Sequence, residues 1–577
     1  MLTRLREASG RHILAWMSFV ALALWQVSPV LSSPTTLAIG HPGNDVWNHI
    51  WGYGFVADSL MAGQWPIHTD LLNWPSGGTL WFIDMMGAII TLPVNLVSGP
   101  VAAYNAGFLI QWTLCGVGMY ALAWSVTRSA LGAWLAGLAY QSMPHLMGQA
   151  YNGISETMMA GFLPLALLAL RALFHHPTHG RAVAAGVTLG ITALANWYYG
   201  LFAGIALLGL LARGLRRRPL LAIRTHHRIA LTFLLTGAIV VAPAFAVFTA
   251  SMSAEDAVVT RDPQFVWATL VLHNMTDVVS FFRPGKHYSP DLKALFGEDL
   301  LVIVYLGHFL LWPALFALGS RFRTRVKSWA ALGAVYALLC LGPFLFIGGD
   351  YVQAFGGWIP LPFLALFEWF PMFSRISHAY RFAVGITLAL CVMLAWTVRS
   401  MQSGRLAGWA PAVLLGALII GERFYASPAP FPLPTSDAHV PAVISSLKGG
   451  AVLDLPVGRP VLARSTYSLA QLKHGQPTPY GLNDPWPLSL RDNRFLRFLV
   501  EMEYSTAATL PAQIPWLDIH MGRQAALADG LKWIVMHESD YPDRQFARTA
   551  RFLDITATPV YEGEGLRIYR LDPITQG

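Results

Sequence analysis

Apolar residues fall along the chain in long runs separated by short polar breaks, and a run of about 20 residues is what a helix needs to cross a bilayer. The first run lies near 12–31, behind Arg4, Arg6 and Arg11. Others lie near 100–127, 130–148, 158–174, 182–198, 199–212, 229–250, 299–320, 328–348, 380–398 and 406–421. Together they predict about eleven transmembrane helices. No small-x-small site follows the first run cleanly, so it reads as an uncleaved helix rather than a signal peptide. The 182–212 pair meets at Asn196-Trp-Tyr-Tyr-Gly200, a tight turn.

The pattern changes between the first two runs, at 32–99. In Gly40-His-Pro-Gly-Asn-Asp45-Val-Trp-Asn-His49-Ile-Trp-Gly-Tyr-Gly-Phe55, Pro42 and Gly43 break the chain and Asn44 is a good N-cap residue. Trp47, Ile50, Trp51, Gly54 and Phe55 then recur at helical spacing. This predicts a juxtamembrane helix lying in the interface, with Asp45 in its first turn and Asp45, Asn48, His49 and Gly52 on the face turned toward water. His68, Asp70 and Asp84 follow, then a second short apolar stretch at 85–97. Later long loops are 251–297, carrying Arg283-Pro-Gly-Lys286-His-Tyr and Asp291 and followed by Glu298-Asp299 at the start of the next helix, and 349–379, leading into Pro371-Met-Phe-Ser-Arg375-Ile-Ser-His378-Ala-Tyr-Arg381-Phe.

Beyond Glu422 the chain reads differently. Ser427-Pro-Ala-Pro-Phe-Pro-Leu-Pro434 is a stiff linker. Strands are expected at 451–455 and 531–537, helices near 519–529 and 542–553, and a closing hairpin at 559–569. The expected division is a transmembrane unit at 1–421, a Pro-rich linker at 422–440 and a small extracytoplasmic α/β unit at 441–577, which has no nucleotide-binding glycine loop or metal-spacing motif.

Composition agrees with a polytopic membrane protein: 55% hydrophobic and 12% charged residues, with a mean hydropathy of +0.47. The net charge of +8 does not point to nucleic acid, because the arginines cluster in short loops, as at 213–228 and 321–327. These basic loops alternate with loops that hold the carboxylates, which predicts a cytoplasmic N-terminus in the inner membrane and an outer face bearing Asp45, Asp84, Glu156 and the C-terminal unit. Cys115, Cys340 and Cys391 all fall inside apolar runs and read as packing residues.

Candidate chemistry gathers on the outer side. The positive end of a helix dipole favours an ionised Asp45, as a general base or metal ligand requires; the plainer alternative is a helix cap beside an aromatic belt. Asp45 and His49 at i, i+4 could share a divalent metal with a third ligand from His68, Asp70 or Glu156, or simply hydrogen-bond each other. Arg375 and Arg381, with His378 between them, suit a lipid phosphate; snorkelling to water is the alternative.

The long first outer loop opening on an Asp at the head of a juxtamembrane helix, the many spans, the acidic outer loops and the C-terminal outer unit together resemble the GT-C superfamily of integral-membrane glycosyltransferases. Pro371 to Phe382, and Leu455-Pro456 with Gln471-Leu-Lys-His474-Gly475, resemble segments of bacterial members. The resemblance implies transfer of a sugar from a polyprenyl-phosphate donor to a glycan, lipid or protein acceptor, with Asp45 as base and Glu156 as a second catalytic carboxylate. His49, Asp84, Arg375, His378, Arg381 and His474 are the substrate-binding candidates. The Asp-x-Asp of metal-dependent oligosaccharyl members and the Asp-Glu pair of protein mannosyl members are missing, so the resemblance leaves metal use open, with Asp45, His49 and Glu156 as the ligands a divalent metal would have. Two other readings stand beside this one: a transporter or lipid flippase, whose prolines interrupt helices, and a non-catalytic envelope-polymer assembly protein.

Overall fold

The computed structural model describes residues 2–41, 45–217, 219–258, 263–284, 302–402, 409–426, 430–460, 462–482, 488–505, 507 and 509–573. Pro42, Gly43, Asn44, Arg218, Lys286, Asp291, Glu298, Asp299, the beginning of the 299–320 run and residues 427–429 of the expected linker lie outside them. The chain is mostly helical, with a mixed sheet near its C-terminus. Among the described residues, four helical stretches are long and apolar enough to cross a membrane: Leu92–Thr127, Ser155–His175, His227–Met252 and Ala379–Met401. Trp197–Ala212 and His308–Gly319 are shorter apolar helices.

Prolines and glycines explain where the helices depart from the apolar runs. The 130–148 run is two helices, Ala130–Gln141 and Pro144–Tyr151, because Pro144 lacks an N–H and is accepted only in a first turn. The 85–97 stretch is Met85–Ile90 followed by the opening of Leu92–Thr127, which kinks at Gly99. Gly99 sits at φ 84° and ψ 173°, a conformation open to glycine, directly before Pro100. Asn196 alone separates His179–Ala195 from Trp197–Arg217, the tight turn expected there.

Ala383–Met401 is the central helix, buried from Ala383 to Val398. It runs against Ala130–Gln141 so closely that a Cβ on Gly132 would lie 2.7 Å from the Ala395 carbonyl. Small residues at such crossings are how helices pack without a hydrophobic drive from solvent. The helix Ala410–Ala426 continues five residues past the boundary expected at 421, because its last turn has a structural task. Glu422 accepts from the Tyr305 hydroxyl at 2.9 Å and from the His308 and Phe309 N–H groups at 2.7 and 3.2 Å, so it caps the His308–Phe316 helix. Arg423 beside it donates to the Leu306 carbonyl at 3.0 Å.

The C-terminal sheet has Leu531–His537 at its centre, parallel to Ala451–Leu455 and antiparallel to Leu566–Arg570, which pairs in turn with Thr558–Gly563. The strands and closing hairpin therefore match the pattern read from alternation. The crossover between the two parallel strands carries Thr466–His474, Arg494–Tyr504 and Trp516–Ala528. Thr466–His474, here called the docking helix, ends at Gly475 in the left-handed conformation (φ 63°).

The docking helix packs on the first-loop helix, Val46–Met61. Trp51 Nε1 donates to Gln471 Oε1 at 2.7 Å, and a Cβ on Gly54 would meet Leu472 Cδ2 at 2.7 Å. The segment expected as a stiff, Pro-rich linker also returns to the first loop: Thr435–Asp437 pairs antiparallel with Leu37–Ile39, and the Leu433 N–H donates to the Gln26 carbonyl at 3.2 Å.

These contacts correct the picture of an interfacial helix with one wet face. Every residue from Val46 to Ala57 is buried, Asn48 and His49 included. The docking helix covers one side, while Phe82, the Leu92–Thr127 helix and the 155–161 segment cover the rest. Asp45 is likewise not within the first turn. It occupies the N-cap position, with helical φ/ψ and no side-chain capping bond.

Candidate active site

Burial of the first-loop helix places His49 among groups from three other segments. Asp84 caps Met85–Ile90 by accepting from the Gly87 N–H at 3.2 Å, and its other oxygen accepts from the Tyr53 hydroxyl at 2.9 Å. The same oxygen accepts from the Ser155 hydroxyl. Ser155 Oγ lies 2.9 Å from His49 Nδ1. On the far side of the imidazole, His49 Nε2 is 3.5 Å from Glu156 Oε2, and Arg381 holds Glu156 Oε1 at 3.2 Å.

The result is one continuous polar line, Asp84–Ser155–His49–Glu156–Arg381, inside an aromatic shell. His49 faces the Phe82 ring at 6.0 Å, and the Arg381 guanidinium sits 5.0 Å over Tyr198. The turn at Asn196 closes it by donating to the Glu156 carbonyl at 3.1 Å. All five members are under a tenth exposed. Burial pushes the Asp84 carboxyl up to about 6. Buried charges are tolerated chiefly when paired; Arg381 pairs with Glu156 through Oε1, while Glu156 Oε2 and Arg381 Nε are buried without a hydrogen-bond partner.

Asp45 stands outside that line at the head of the same helix. It is half-buried, and Asn48 Nδ2 donates to its Oδ1 at 3.1 Å. Asn48 Oδ1 in turn lies 3.4 Å from Ser468 Oγ of the docking helix. Asp45, His49 and Glu156 are thus not assembled as a metal triad, and no group of three or more His, Cys, Asp or Glu among the described residues is placed to hold an ion. His68 and Asp70 pair with each other at 3.3 Å on an exposed loop, where His68 also faces Asp256.

The two arginines expected to share a phosphate have different surroundings. Arg381 is buried against Glu156, whereas Arg375 is exposed. His378 bonds through Nδ1 with Ser377 Oγ at 2.7 Å. His474 belongs to the C-terminal unit: its Nδ1 accepts from the Gln476 N–H at 3.0 Å, and burial pulls the imidazole down to about 4.

Sequence reasoning missed Ser155 and Tyr53, which join Asp84 to the rest. Hydroxyls of this kind carry no pattern; only Ser155 adjoining Glu156 in a stretch with an acidic residue offered a signal.

No protein-family model matches the sequence, and no curated protein matches it. Solved structures do. Arabinofuranosyltransferase AftD from Mycobacteria aligns with a TM-score of 0.52 at 14% identity, over 97% of this chain and 40% of AftD. The Archaeoglobus fulgidus oligosaccharyltransferase in complex with Zn and sulfate aligns at 0.49 and 13% identity, over 96% of this chain and 73% of that one. ArnT from Cupriavidus metallidurans bound to undecaprenyl phosphate aligns at 0.43 and 14% identity, over 96% and 97%. The chain spans about two fifths of the length of AftD. The chain shares its fold with AftD.

Proposed function

We propose that this protein is a glycosyltransferase of the inner membrane, moving a sugar from a polyprenyl-phosphate donor to a glycan, lipid or protein acceptor at the outer face, with Asp45 as general base. The observation that carries the reading is an AftD-like fold along 97% of the chain, coupled to a half-buried carboxylate at the head of the first-loop helix. In the proposed step the acceptor oxygen forms a bond to the anomeric carbon and passes its proton to Asp45. The bond from that carbon to the phosphate oxygen breaks, and polyprenyl phosphate leaves.

The surroundings of the carboxylates support this division of labour. Asp84 and Glu156 are buried and already bound by Ser155, Tyr53 and Arg381, whereas Asp45 is open enough to meet an acceptor. Glu156 then acts as the second carboxylate by holding Arg381 in place. Arg375, exposed beside His378, is the cation offered to the donor phosphate. Residues 1–421 form the catalytic unit in this reading, and residues 441–577 form the outer unit that covers it.

Mass spectrometry of lipid co-purified with the full chain, followed by transfer of labelled sugar from that lipid in liposomes, tests the proposal. A polyprenyl-phosphate sugar that is consumed on addition of acceptor is the expected result. Export of an intact lipid without cleavage would replace it with the flippase reading.

A further inference from the structure

Ser155 has one hydroxyl proton and two neighbours that compete for it, the Asp84 carboxylate and His49 Nδ1. If the hydroxyl donates to Asp84, His49 Nδ1 must carry a hydrogen and donate to Ser155 Oγ. The other ring nitrogen faces Glu156 Oε2 at 3.5 Å. A bare nitrogen lone pair there would repel a carboxylate, so Nε2 carries a hydrogen as well, and His49 is an imidazolium. If instead Asp84 is protonated, its proton goes to Ser155 Oγ, the hydroxyl donates to Nδ1, and Nε2–H still faces Glu156.

The two arrangements contain the same atoms and the same number of protons. They differ by one concerted shift, in which the Nδ1 proton moves to Ser155 Oγ as the Ser155 proton moves to Asp84. Both are electrically balanced. In the first, Asp84 and Glu156 offset His49 and Arg381; in the second, Glu156 offsets Arg381 while Asp84 and His49 are neutral. Loss of the proton would leave two carboxylates facing a single guanidinium among groups that are under a tenth exposed, where uncompensated charge is expensive.

We infer that Asp84, Ser155 and His49 hold one proton in common, and that this shared proton keeps Glu156 and Arg381 in place for sugar transfer. The inference rests on the transferase reading only for its last clause. The other titratable groups around the line are Tyr53, hydrogen-bonded to Asp84, Tyr104, edge-on to the Tyr53 ring at 6.1 Å, and Tyr198 and Tyr199 beside Arg381. The raised carboxyl of Asp84 agrees with a proton held at that end. Ser155 is a positioning residue in this account, acting through its two neighbours.

The test uses the full chain in detergent and reads thermal unfolding against pH, so it does not depend on catalysis. His49→Gln removes the imidazole that shares the proton and leaves Asp84 to ionise alone. Its Tm should fall by several degrees more at pH 8 than at pH 5. Asp84→Asn removes the charge, and in the double variant Asp84→Asn/His49→Gln most of the pH 8 loss should be restored while pH 5 changes little, a pH-dependent non-additivity that packing contact alone would not give. Equal losses for His49→Gln at both pH values, or no rescue by Asp84→Asn, would overturn the shared proton. Should His49→Gln fail to accumulate, Ser155→Ala replaces it: breaking the bridge should steepen the fall of Tm with rising pH, and a curve parallel to wild type would also overturn the inference. If the Tm pattern holds and no sugar is transferred by the wild-type protein, the transferase reading fails and the shared proton stands.

Discussion

The Asn48 side-chain amide donates to the Asp45 carboxylate at 3.1 Å, one turn along the first-loop helix. Because Asn48 Oδ1 also lies 3.4 Å from Ser468 Oγ, the C-terminal unit reaches the proposed base through a single side chain. Replacing Asn48 by Ala should lower transfer about 10- to 100-fold, from loss of a hydrogen bond to a charged group worth about 1.5–3 kcal/mol. Steady-state kinetics should show the loss mainly in kcat, and unchanged kcat would separate Asn48 from the base.

Docking of the C-terminal unit has its own test. The Trp51 indole N–H is buried and its partner is Gln471 Oε1. Gln471→Leu leaves that donor unpaired, at a cost of about 1–3 kcal/mol. Trp51→Phe removes the orphaned donor, so the double variant should be less destabilised than the sum of the two single variants. Thermal unfolding of the full chain measures this, and strict additivity would show that the bond does not hold the two units together.

Glu503 makes stability depend on pH in the C-terminal unit. It accepts from the Val457 and Gly458 N–H groups at 2.9 and 2.8 Å, and burial lifts its carboxyl to about 7. A carboxyl raised on folding binds more protons in the native state, so its contribution is fully present below its unfolded value and is lost as pH rises through about 7. Glu503→Gln should therefore flatten the fall in Tm between pH 5 and pH 8. A slope identical to wild type would count against the burial effect.

Arginine placement predicts that residues 430–577 lie outside the cytoplasmic membrane. A reporter active only in the cytoplasm, fused after Gly577, should be silent, and one active only outside should respond. The reverse pair of results would invert the topology.

Much of the fold was legible in the sequence because it depends on local patterns. The turn at Asn196 and the hairpin about Glu564 are each dictated by residues within a few positions. What could not be read was long-range covering. The alternation in Val46–Met61 shows one apolar face, but nothing local tells that the docking helix, more than 400 residues later, packs on Trp51 and Gly54, or that Phe82 and Ser155 close over Gly52 and His49 on the polar face. The same limit applies to the site. Asp84, His49, Glu156 and Arg381 were candidates by residue type and placement, yet their joining depends on Ser155, a residue with no pattern of its own. Arg375 and Arg381 look equivalent in sequence, and only the fold distinguishes the exposed one from the one spent on Glu156.

The central claim is that Asp45 accepts the acceptor's proton, and transfer by Asp45→Asn in liposomes tests it most directly. Asp45 makes no side-chain capping bond to its helix, and the amide oxygen of the replacement can still accept from Asn48, so folding and Tm should stay close to wild type. Transfer should fall by about 10²- to 10⁴-fold, the usual contribution of a positioned base. A correctly inserted Asp45→Asn protein that transfers sugar at a near wild-type rate would contradict the account.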